Sequence, residues 1–187
     1  VWNEPDNTND RAYGKVELKN KADYVLPLLE KTFAWARSVN PSQPVTSAVW
    51  RGDWSSHEAM PPLQKVQIDE SDVITFHNYE DSSDFSMRVK WLERYERPLI
   101  CTEYMARPNG STFETILPIA KEYNIGMFNW GFVDGKTQTK YPWDSWDIKY
   151  SSEPKLWFHE VLRNDGTPYR AEEVELIKEL TAVPEYN

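Results

Sequence analysis

Apolar residues recur at positions 24, 25, 28, 29, 33, 36 and 39, a period of 3.6 that predicts an amphipathic helix over residues 21–39. Asn40, Pro41 and Pro44 then break the pattern. Residues 45–50, VTSAVW, are short, β-branched and bounded by turn formers, which predicts a buried strand. The same reasoning predicts strands over 73–77, 99–102 and 125–130. Between them, helical spacing predicts a short helix over 62–68, a second over 82–95 capped by Ser83 or Asp84, and a third over 113–123. Residues 111–114, STFE, form a capping-box pattern ahead of that third helix. A long aromatic loop over 131–150 leads to a last helix over 171–181. Strands alternating with helices of this size predict a parallel sheet built from βα units, in a single domain spanning 1–187.

Composition narrows the partners. The formal charge is −9 and Lys and Arg are scattered, which argues against nucleic acid or an anionic membrane surface. No stretch approaches the ~20 apolar residues of a membrane span. Aromatic residues make up 14% of the chain, more than a plain core requires, and aromatic rings are natural platforms for the apolar faces of sugars. Cys101 is the only cysteine, so no internal disulfide can form. His57, His77 and His159 lack metal-ligand spacing, so neither a metal site nor a cofactor is expected. His57, His159 and Cys101 are assigned to structure or surface.

The chemistry-bearing residues fall where the expected strands end. One strand runs into Trp50, the next into His77 and Tyr79, the third into Glu103 and Tyr104, and the fourth into Trp130. His77 and Tyr79 are two apart, as are Phe128 and Trp130, so each pair shares one face of an extended segment. A glutamate at a strand end is by itself most often a solvated or salt-bridged side chain. Four such ends together are economically explained by one pocket above the sheet.

WNEP at 2–5, HNY at 77–79, CTEY at 101–104 and FNW at 128–130 resemble strands four, six, seven and eight of the retaining glycoside hydrolases of clan A, the (β/α)8 cellulases, mannanases and xylanases. The resemblance runs as an ordered series to about residue 150. It implies that Glu4 is the general acid/base and Glu103 the nucleophile, two carboxyl groups about 5 to 5.5 Å apart across a scissile bond. It further implies that Tyr79 donates to Glu103, that Asn3 meets the sugar 2-hydroxyl, that His77 braces the site and that Trp130 forms the stacking floor. Trp50, Trp54, Trp143 and Trp146 are candidates for further platforms.

The fold class that follows is α/β, the C-terminal half of a (β/α)8 TIM barrel: strands five to eight plus the end of strand four. A half-barrel leaves strand edges unpaired, so either a homodimer or a missing N-terminal half-barrel is expected to complete it. The implied function is retaining hydrolysis of a β-linked, foremost β-1,4-linked, plant polysaccharide or oligosaccharide. The alternative is a non-catalytic, self-assembling half-barrel that keeps a sugar-binding surface. A substrate of this kind favours an extracellular or periplasmic location.

Overall fold

The helical period at the start of the chain is realised as α1, Lys21–Ser38, but only one of its two apolar stripes is covered. Val25, Leu29 and Phe33 are buried together with Val45 and Leu63, while Tyr24, Leu28 and Val39, placed on the same expected face, are exposed. An apolar band wider than its partner surface leaves its margin in solvent. The computed structural model describes residues 1–8 and 16–182. Its further elements are α2 (Pro62–Asp69), β1 (Ile74–Asn78), α3 (Ser82–Glu93), β2 (Leu99–Tyr104), α4 (Phe113–Glu122), β3 (Gly126–Met127) and α5 (Ala171–Thr181). Short 3-10 turns occupy Arg107–Asn109 and Trp143–Trp146.

The strand expected over 45–50 is reduced to two parallel bridges, Ser47 with Trp2 and Val49 with Phe76. The cause is local. Val45 N donates to Asp72 Oδ2 at 2.7 Å, Ser47 N donates to Ser71 Oγ at 3.1 Å, and the Ala48 carbonyl accepts from Gln67 Nε2 at 2.5 Å. Backbone groups committed to side chains cannot also join a ladder. The strand expected over 125–130 is likewise short. Its pairing nevertheless continues past Met127, since Phe128 N donates to the Cys101 carbonyl at 2.9 Å and Trp130 N to the Tyr104 carbonyl at 3.1 Å.

Two helices begin where expected, at Ser82 and Phe113, but their caps differ from expectation. Asp81, and neither Ser83 nor Asp84, caps α3, its Oδ1 accepting from Ser83 N at 2.9 Å and Asp84 N at 3.1 Å. At α4 the N-cap is Thr112, whose hydroxyl accepts from Thr115 N, and the reciprocal bond to the cap backbone comes from Thr115, so Glu114 has no part in the box. An isolated Thr can play the acceptor-and-donor role usually given to Glu.

The architecture is mixed α/β with a three-stranded parallel sheet in the order β1–β2–β3. Spatial order follows chain order, without the reversal that defines a doubly wound sheet. The chain forms two compact units, Val1–His77 with Arg88–Ile100, and Asn78–Met87 with Cys101–Asn187; β1 and β2 each begin in the first and end in the second. In the first unit α1 packs on α2 around the core of Leu29, Phe33 and Leu63. In the second, α4 packs on α5 and β3, and Cys101, Tyr104, Met105, Phe113, Ile116 and Trp157 are buried.

Candidate active site

In the first unit, Glu4 sits just beyond the bridge that joins Trp2 to Ser47. Its φ of +35° lies in the left-handed region, which a residue with a Cβ occupies only when its surroundings hold it there. Two side chains grip the carboxyl group. Asn7 Nδ2 donates to Oε2 at 2.5 Å, and Oε1 is 2.6 Å from Nδ1 of His77, which is buried on β1. His77 therefore braces Glu4, and it does so from a strand that fixes its position. Asn3 is exposed beside them.

Asp6, two residues on, was not singled out in the sequence. Its buried carboxylate accepts from Trp50 Nε1 at 2.7 Å, Arg51 Nε at 3.0 Å and Gln64 Nε2 at 3.0 Å. Three donors around one buried carboxylate make it a structural pivot. They also fix Trp50, whose ring carries the Arg51 guanidinium 4.9 Å from its centroid. Trp54 is fully buried and edge-on to Phe76, with Arg88 4.3 Å from its ring centroid. It is a core residue and cannot serve as a sugar platform.

In the second unit, Tyr79, one residue past β1, donates its hydroxyl to Glu103 Oε2 at 2.8 Å. Glu103 is on β2 and only 8% exposed. A phenol hydrogen-bonded to a buried carboxyl group fixes which oxygen points where. Tyr79 is itself walled in. Trp143 meets its ring edge-on at 5.2 Å, His159 lies at 5.5 Å, and its backbone carbonyl accepts from Asn109 Nδ2 at 3.1 Å. Trp143 is thus committed partly to packing against Tyr79 and Phe158.

Trp130 is 45% exposed, and Phe128 and Phe132 beside it are more so, at 62% and 65%. These alternate positions present a row of open aromatic surface. Tyr141, Trp146 and Tyr150 line a separate cavity of about 350 Å3 together with Gln138 and Lys149. Behind the site, Cys101 on β2 is fully buried, and burial pushes its thiol well above the ordinary range. Its Sγ lies 3.3 Å from the carbonyl oxygen of Glu103.

Segment 157–160 is bound tightly to the residues that follow β2. Arg107 donates to the Trp157 and Glu160 carbonyls at 3.1 and 2.9 Å and makes two bonds of 2.7 and 2.6 Å to the Glu173 carboxylate of α5. No sequence period marks this arrangement, because its members come from a turn, a loop and a helix.

No protein-family model and no curated protein matches this chain. Among solved structures it is similar to the endo-β-1,4-mannanase from Thermotoga petrophila, with a TM-score of 0.51 at 14% identity over 85% of this chain. A glycoside hydrolase family 5 mannosidase from Rhizomucor miehei gives a TM-score of 0.43 at 14% identity over 83% of this chain. The chain spans 39% of the length of the first and 46% of the second. At this identity the likeness is one of fold: a mixed α/β arrangement with a parallel three-stranded sheet that matches part of the mannanase chain.

Proposed function

We propose that this chain carries the nucleophile and the acid/base of a retaining glycoside hydrolase acting on β-1,4-linked sugars, with β-mannans the first class to test. The observation that carries the reading is the Tyr79–Glu103 hydrogen bond of 2.8 Å at the end of β2. The braced Glu4, the aromatic row around Trp130 and the fold likeness to a mannanase support it.

In the first step a Glu103 carboxylate oxygen attacks the anomeric carbon as the bond to the leaving oxygen breaks, and Glu4 gives its proton to that oxygen. In the second, water adds to the same carbon, loses a proton to Glu4, and the bond to Glu103 breaks. Configuration is retained after two inversions. Tyr79 holds Glu103 in its attacking orientation, His77 and Asn7 orient Glu4, Asn3 meets the 2-hydroxyl and Trp130 stacks on the sugar face. Trp50, held by Asp6, is a further sugar platform in this reading. In this reading the chain is the C-terminal half of a (β/α)8 barrel, completed by an N-terminal half-barrel or by a second copy.

The test is hydrolysis of β-1,4-mannooligosaccharides and aryl β-mannosides, with retention followed by NMR of the first-formed anomer. Glu103→Gln is expected to abolish turnover, and a 2-deoxy-2-fluoro-glycoside is expected to label Glu103. Labelling at another residue, or full activity in Glu103→Gln, overturns the assignment. A second reading, a non-catalytic assembly with a sugar-binding face, is favoured by the exposed Phe128 and Phe132. It expects a stable oligomer, sugar-induced quenching of tryptophan fluorescence and no labelling.

A further inference from the structure

His159 takes no part in the chemistry just described, yet residues that follow three strands, Tyr79, Met105 and Gly131, all approach it. It is 1% exposed, and its Nδ1 lies 2.5 Å from the carbonyl oxygen of Met105. A carbonyl oxygen can only accept, so Nδ1 carries a proton in this contact. Burial, joined by the neighbouring Arg107 guanidinium, holds its pKa down to about 4. Nε2 has no hydrogen-bond partner among the described residues, so the bond to Met105 is the ring's one polar anchor there.

Each of the three approaches this residue in a different way. Met105 directly follows β2, two residues after Glu103, and has φ +77°, a left-handed conformation that a side-chain-bearing residue keeps only when held. Tyr79 directly follows β1, and its ring is tilted at 60° against the imidazole with centroids 5.5 Å apart. Gly131, beyond β3 at φ +87°, approaches so closely that a Cβ there would lie 2.8 Å from the Cβ of His159. The backbone around His159 is fixed as well. Arg107 bonds the carbonyls of Trp157 and Glu160, and its own N–H donates to the carbonyl of Phe158 at 3.2 Å.

We propose that His159 is the positioning residue of the Tyr79–Glu103 pair. Its N–H fixes the left-handed Met105 peptide and through it the end of β2, while its ring limits the rotation of Tyr79, so that donor and carboxyl group stay in register. The catalytic consequence rests on the glycosidase reading; the geometric one does not. A merely structural histidine would stabilise the fold without controlling that hydrogen bond.

The test compares two variants in the full chain. His159→Asn keeps an N–H donor near the Nδ1 position, whereas His159→Leu keeps the bulk and removes the donor. In crystal structures the Tyr79–Glu103 bond is expected to be retained in the Asn variant and lost in the Leu variant. With an aryl β-glycoside the Leu variant is expected to lose about 10- to 100-fold in kcat with KM within about twofold, and the Asn variant to stay within about threefold of wild type. If the Leu variant does not fold, His159→Gln, whose amide reaches the Nε2 position and not Nδ1, takes its place with the same expectation. A folded Leu or Gln variant that keeps both the bond and kcat overturns the proposal. If the wild-type chain hydrolyses nothing, the glycosidase reading fails while the crystallographic comparison still decides the positioning role.

Discussion

At the scale of single residues, the structure places backbone strain at Glu4 and Met105 and a lowered pKa at His159. The left-handed conformation of Glu4 costs about 1–2 kcal/mol relative to a glycine there. Glu4→Gly is therefore expected to be more stable than Glu4→Gln by about 1 kcal/mol in urea denaturation, with both variants inactive. His159 provides a pH test with a definite sign. Its pKa is about 4 in the folded chain against 6.5 for the ordinary group, so between these values the unfolded chain binds more protons. The stability that depends on neutral His159 is fully present above pH 6.5 and lost as pH falls toward 4, by about 3 kcal/mol in all. The urea midpoint of wild type should fall more steeply across that window than the midpoint of His159→Asn, and parallel curves would contradict it. Glu4, His77, Tyr79 and Glu103 were legible in the sequence because each lies in a short local motif. His159, Asp6 and Arg107 were not, since their partners lie 44 or more residues away, or, for Met105, depend on a backbone angle that no local pattern specifies.

At the scale of elements, helical period was enough to find the five α-helices among the described residues. The strands at 45–50 and 125–130 were misjudged because strand length is set by what neighbouring side chains do to the backbone groups. Asp72, Ser71 and Gln67 intercept the first of these, and none of the three is adjacent to it in sequence. The Thr112–Thr115 cap offers a clean element-level test. Thr112→Ala removes the acceptor for Thr115 N and is expected to cost about 1 kcal/mol, measured by urea denaturation, whereas Glu114→Ala, outside the box, is expected to leave the midpoint nearly unchanged. Gly131→Ala would combine a disfavoured positive φ with contacts of 2.8 Å to His159 and 3.0 Å to Thr139. The expected loss is about 2–4 kcal/mol.

At the scale of the whole molecule, the second unit is tied together by one fully buried ion pair. Arg107→Met leaves the buried Glu173 carboxylate without its two hydrogen bonds, with only Arg170 3.7 Å away, and should cost about 3–5 kcal/mol. Replacing both residues by apolar ones should recover part of that loss, but not all, because the Trp157 and Glu160 carbonyls also lose their donor. A double-mutant cycle measures the coupling. The fold class was legible at this scale as far as a parallel sheet in chain order, since alternating strand and helix periods carry that information directly. One last feature makes the molecule report on itself. Cys101 is the chain's single thiol, shut inside β2 two residues from Glu103. A chromogenic disulfide reagent should find nothing to react with until that strand comes loose. Reaction rates measured across a urea series would then give the opening free energy of the strand that presents Glu103, without any substrate or engineered probe.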